Sequence, residues 1–188
     1  MRAPPRVSAR RPPSLRARAL MLLARREHSR SELRAKLLPL AQLEQREIEQ
    51  IAAADSEVSP GMEPRTESST DLQSAEQRVE ALLAWLEAHA YLSDQRFVES
   101  RVHVRSARYG NLRIRQEMAS HGVALDAQTE QHLRDTEFDR ARQAWQRKFD
   151  ALPQDVSERA RQTRFLVNRG FSADVIRRVL RQGGDTEE

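Results

Sequence analysis

Apolar positions along this 188-residue chain recur every three to four residues and never alternate for long. Val79, Leu82, Leu83 and Leu86 stand at i, i+3, i+4 and i+7, the stripe of a helix with one buried face. Phe97, Val98 and Val102 mark a further helix, and Phe138, Ala141, Trp145, Phe149 and Leu152 make one stripe. Val175, Ile176, Val179 and Leu180 supply the last. No sustained period-2 run and no Asn-Gly or Asp-Gly turn is present, which argues against strands and hairpins. The pattern predicts an all-α protein.

Helix starts and stops sharpen that reading. Ser29 with Glu32, and Ser74 with Gln77, have capping-box spacing, and Asp155 with Glu158 caps a later helix. The stops are more telling. RIRQEMASHGV (113–123) and RQTRFLVNRGF (161–171) lie forty-eight positions apart and end in glycine plus one apolar residue. A glycine just past a helix takes the left-handed conformation that a Cβ makes costly. With Gly122 and Gly170 as those residues, Val123 falls on Met118 and Phe171 on Leu166. The pattern assigns both glycines the same price, about 1 kcal/mol for alanine at either.

Two helices ending by one device point to an internal repeat. Leu37, Met118 and Leu166 align as second-helix anchors, although the first copy has Ala41 where the glycine would stand. A period in the forties suits helical repeats that bury their faces against neighbours. The expected architecture is three tandem three-helix repeats, helix-turn-helix-like, in an elongated, curved array. Repeat 1 covers 14–90, repeat 2 covers 91–135 and repeat 3 covers 136–182. In repeat 2 the helix Leu112 to His121 is followed by a weaker one, Asp126 to Arg134. A disordered basic tail at 1–13 and a short tail at 183–188 flank them. An acidic low-complexity insertion at about 42–73 interrupts repeat 1. Its LEQREIEQIAAA part can extend a helix on a thin stripe of Leu43, Ile48 and Ile51, with disorder expected from near Asp55.

Charge divides the chain in the same way. Residues 1–40 carry +9, residues 41–77 carry −7 and the rest +2, for a net +4. Of 32 basic residues only Lys36 and Lys148 are lysine; arginine is the better bidentate partner for carboxylate and phosphate. The absence of cysteine excludes disulfides, thiolate metal sites and cysteine catalysis. The N-terminal apolar run ALMLLA is short for a signal peptide, and no segment approaches membrane-spanning length.

Catalytic constellations are missing. There is no phosphate-binding glycine loop and no H-E-x-x-H, and His28, His89, His103, His121 and His132 show no i, i+4 pairing. They read as solvated or helix-terminal histidines, so neither a catalytic nor a metal site, and no cofactor, is expected. The carboxylates fit as i, i+4 partners of arginine, as in Arg113 with Glu117. Trp85, Trp145 and Phe149 have core spacing rather than that of a base-stacking platform.

Three words carry a resemblance: ALMLLARREHSRSELRAKL, AYLSDQRFVESRVHVRSARYGNLRIRQEM and RARQTRFLVNRGFSADVIRRVL. In this order they resemble the RecX family of RecA regulators. The resemblance covers about residues 14–41 and 76–182. It implies a non-enzymatic, cytoplasmic protein that lodges in the groove of the RecA–DNA filament. There it restrains recombinase, ATPase and co-protease activity in recombination, DNA repair and the SOS response. A monomer is expected, with no membrane partner. The acidic insertion and the apolar-poor ALDAQTEQHLRD depart from the family pattern.

The candidate partner-binding residues are arginines. Arg101, Arg105 and Arg108 fall within about 60° on one helix. They are either stems lying along apolar neighbours with heads paired to acids, or a basic ridge for acidic RecA surface or phosphate. Arg113, Arg115, Arg161, Arg164 and Arg169 extend that surface onto the second helices. The competing function is a sequence-tolerant binder of single- or double-stranded DNA acting without RecA.

Overall fold

The computed structural model describes residues 12–58 and 74–182. Residues 1–11 of the expected basic tail, the 59–73 part of the insertion and the tail at 183–188 lie outside the described residues. All regular structure among the described residues is helical, in two compact units divided between Ser93 and Asp94.

The first unit is a three-helix repeat: α1 (Leu15–Leu23), α2 (Arg30–Val58) and α3 (Ala75–Ala88). Ser14 caps α1, its Oγ accepting from the Ala17 N–H at 3.3 Å. Ser29 Oγ accepts from the Glu32 N–H at the start of α2. Ser74 and Gln77 form the complete reciprocal box on α3. Ala19, Leu33, Leu37, Ala41, Val79, Leu83 and Leu86 are fully enclosed between the three helices. α2 and α3 run antiparallel, pinned on the outside by Arg30 to Glu87 and Glu80, Arg34 to Glu80, and Arg78 to Glu44.

Three expectations change here. Residues 55–58 are helical, so the helix outlasts the expected break at Asp55. The alanine-rich IAAAD run has high helix propensity and carries it. The stripe on that extension is not buried, because Leu43, Ile48 and Ile51 are more than half exposed. His28 is likewise not solvated. It is buried just ahead of α2, 3.1 Å from Glu32, and burial holds its pKa below the ordinary value. Burial pushes the Glu32 carboxyl up, but its hydrogen bond from Arg26 and the charges of His28, Arg26 and Lys36 prevail, holding it at about 2.

The second unit contains α4 (Asp94–Ser106), α5 (Asn111–Ser120), α6 (Ala127–Gln146), α7 (Val156–Asn168) and α8 (Ala173–Gln182). α6 is unbroken. The weak Asp126–Arg134 helix and the first helix of repeat 3 are one element, and the boundary drawn at 135/136 falls inside it. Its N-terminal half places Leu133 in a core with Phe97, Val98, Val102, Ile114 and Met118. Its C-terminal half places Ala141, Ala144 and Trp145 in a second core with Leu166, Phe171, Ile176 and Val179. Trp145 is buried and donates Nε1–H to Gln162 Oε1 at 2.7 Å, as a core residue does.

Candidate functional site

α5 and α7 end alike. At α5, Gly122 has φ 69°, its N–H donates to Ala119 O, and the Val123 N–H reaches back to Met118 O. At α7, Gly170 has φ 81°, its N–H donates to Val167 O, and the Phe171 N–H reaches Leu166 O. Both are complete Schellman caps. The end of α3 has the same pair of bonds around Ala90, at φ 57° without a glycine.

The two glycines differ in what surrounds them. Gly122 is exposed. Gly170 is packed against the entry to α5: the Gly110 N–H donates to Arg169 O at 2.8 Å and the Leu112 N–H to Gly170 O at 3.1 Å. A Cβ on Gly170 would lie 2.6 Å from Arg113 Cβ, and one on Gly110 would overlap the Gly170 carbonyl. The cap of one repeat thus holds the second helix of the other at its N-terminus.

A buried polar junction completes that docking. Glu137, on α6, accepts from the backbone N–H of Asn111 at 3.1 Å and of Ser172 at 3.2 Å, and from Ser172 Oγ at 3.0 Å. One carboxylate therefore serves the entries of α5 and α8, where orphan N–H groups favour negative charge. One turn along α6, Arg140 donates to Tyr109 O, Asn111 Oδ1 and Leu133 O. Burial lowers its pKa and the Glu137 charge raises it; guanidinium remains a cation throughout. Gly110, Asn111, Glu137, Arg140 and Ser172 escaped sequence reasoning, since each looks like an ordinary loop or surface residue.

The candidate arginines separate into three settings. Arg105 pairs with Glu117 at 2.9 Å, and Arg101 lies 3.7 Å from the same carboxylate and 5.4 Å from the Phe97 ring. Their heads are thus engaged within the repeat, together with Glu117. That carboxylate was expected to pair with Arg113; α4 reaches it first. Arg115 lies 3.4 Å from Glu130. Arg113 instead donates to Asn168 O and stacks on Tyr109, and Arg169 donates to Arg108 O and stacks on Phe165. Arg161 sits over Phe149 at 5.6 Å. Arg108, Arg113, Arg161 and Arg164 are exposed, and none forms an ion pair with a described residue. What this surface offers a partner is guanidinium charge on capped helices, with Glu117 and Glu130 already engaged by Arg101, Arg105 and Arg115. No group of three or more His, Asp or Glu suited to a metal exists among the described residues, nor any helix long and apolar enough to cross a membrane.

Known proteins are similar to this chain along most of its length. Residues 93–130 match the second three-helix domain of RecX and residues 135–180 match the third, the one match ending and the other beginning inside α6. "Regulatory protein RecX" of Ralstonia nicotianae is 42% identical over 178 residues, covering 94% of this chain and 91% of that protein. The protein of the same name from Leptothrix cholodnii is 42% identical over 89% of this chain and 88% of its own length. That from Pseudomonas putida strain GB-1 is 37% identical over 94% and 95%. Tandem three-helix units joined through α6, and relatives matching along nearly the full length, carry the conclusion that this chain belongs to the RecX family of regulatory proteins.

Proposed function

We propose that this protein is a non-catalytic, cytoplasmic regulator that binds the RecA–DNA filament as a monomer and mainly inhibits its recombinase, ATPase and co-protease activities. Membership of the RecX family supports the regulatory role. The observation that carries the choice of surface is the division among the arginines. Arg101, Arg105 and Arg115 are drawn to carboxylates of their own repeat, while Arg113, Arg161 and Arg164 face solvent without one. Exposed guanidinium groups on short, capped helices suit an extended partner bearing carboxylates or phosphates.

The test is titration of the protein into RecA on single-stranded DNA while ATP hydrolysis is followed, with binding to DNA alone as control. Charge reversal at Arg161 and Arg164 leaves the apolar anchor Leu166 in place, whereas at Arg113 it also removes the bond to Asn168 O, so each variant's melting curve is checked before its inhibition is read. Inhibition should weaken about tenfold or more, a charge-assisted contact being worth roughly 1.5–3 kcal/mol. Folded reversals that inhibit at wild-type concentrations would place the interface elsewhere. A DNA binder acting without RecA is the second reading. It would lose affinity steeply with salt and leave hydrolysis unaffected once free DNA is in excess.

A further inference from the structure

The ends of α6 and α7 and the turn after α4 enclose a hollow of about 350 Å³, lined by Arg108, Tyr109, Ala144, Arg147, Lys148 and Arg169. Its volume falls in the range of small-ligand pockets, about 300–1,000 Å³. Four of its six lining residues are cations, and none is acidic. None of the four forms an ion pair with a described residue, although most arginines of α4 and α5 found a carboxylate or an aromatic ring. α6 and α7 both end here, each contributing roughly half a negative charge, which together offset about one of the four positive charges. The remaining excess is a standing repulsion that folding alone does not require.

One wall of the hollow is also held in place. Arg169 is held from two sides, by the Arg108 carbonyl at 3.2 Å and the Phe165 ring at 4.5 Å. Its backbone is tied to Gly110 by the 2.8 Å bond described above. Tyr109 is fixed against the Arg113 guanidinium at 4.5 Å. Groups held this way lose little freedom on meeting a ligand.

We propose that this hollow is a phosphate site and that it seats the backbone of a nucleic-acid strand. The proposal deepens the filament reading, resting on it for the choice of ligand, and names the DNA strand as a direct contact of Arg108, Arg147, Lys148 and Arg169. A strand brings phosphates at short, regular spacing and releases counterions when they are neutralised, which matches four clustered cations. A single carboxylate of an acidic protein surface leaves most of that charge unmet.

The experiment compares three full-length proteins without RecA: wild type, the pair Arg147→Gln/Lys148→Gln, and the pair Arg46→Gln/Arg181→Gln. The last has the same net charge as the second, with both changes at exposed positions that do not line the hollow. Binding to a fluorescently labelled oligo-dT is measured by anisotropy over a series of salt concentrations, with poly-glutamate as a second probe and melting curves as the folding check. The hollow pair should melt at or above the wild-type temperature, since it relieves repulsion, and bind oligo-dT about tenfold or more weakly. Its dependence of log K on log salt should be shallower by about 1.4, roughly 0.7 for each lost phosphate contact on a single strand. The control pair should stay near wild type.

Equal losses in both pairs would reduce the effect to net charge and overturn the proposal, and so would unchanged binding in the hollow pair. Loss of poly-glutamate binding with oligo-dT binding intact would assign the hollow to an acidic protein instead. RecA inhibition, followed in parallel, separates the two readings. Oligo-dT binding through the hollow by a protein that leaves RecA untouched sinks the filament reading only. RecA inhibition with oligo-dT binding indifferent to Arg147 and Lys148 sinks this one only.

Discussion

Gly122 and Gly170 occupy the same place in two copies of one motif, with φ of 69° and 81° and the same pair of capping hydrogen bonds. One faces solvent and does nothing but end a helix. The other ends a helix and also provides the flat backbone on which the preceding repeat's α5 is set, against Gly110 and Arg113. Equal local roles thus carry unequal tertiary roles. Repeat proteins are stabilised by units and by the interfaces between them, and a cap at an interface belongs to both terms.

The largest effect should come where the two backbones meet. Gly110→Ala forces a methyl group into the Gly170 carbonyl, which backbone cannot yield cheaply; a loss of about 3 kcal/mol or more is expected in chemical denaturation. Gly170→Ala combines the left-handed penalty, roughly 1–2 kcal/mol, with the Arg113 contact, and should fall just below it. A Gly170→Ala variant no worse than Gly122→Ala would break the comparison.

Glu137→Ala tests whether the junction is what makes Gly170 expensive. It leaves the N–H groups of Asn111 and Ser172 without their acceptor, an expected loss of about 2–3 kcal/mol. Combined with Gly170→Ala, the losses should not add, because both loosen the seating of α5. Strict additivity in a double-mutant cycle would mean that the carboxylate and the cap act separately.

Gly122→Ala should cost only about 1 kcal/mol, the price of the conformation alone. The smallest change runs the other way. Ala90 holds the left-handed position at the end of α3, so Ala90→Gly should raise the first unit's stability by roughly 0.5–1 kcal/mol. A fall in its melting temperature would show that the Ala90 methyl contributes packing worth more than the strain.

Much of this was legible in the residues. Helix stripes, the Ser74–Gln77 box, the Asp155 cap and the two glycine stops depend on groups within a few positions of each other, and local spacing reports local geometry. Leu37, Met118 and Leu166 were likewise found as anchors, since a repeat displays its core by alignment. The fusion of two helices into α6 was missed, because the repeat frame set a boundary within TEQHLRDTEFDRA although that stretch has no break signal. Nor were the partners of Glu117, which a same-helix rule assigned to Arg113 and which α4 supplies instead.

The sequence by itself determined that this chain is helical and repetitive, where α5 and α7 stop, and that arginine is its chemistry. Only the tertiary structure decided which arginines are spent and which are free. That choice depends on carboxylates and carbonyls brought close from 12, 55 and 61 positions away, as for Arg105, Arg113 and Arg169. It likewise decided that one glycine is a stop and the other a seat. A backbone conformation is written in the residues beside it, whereas the room around a Cα is set by whatever folds against it.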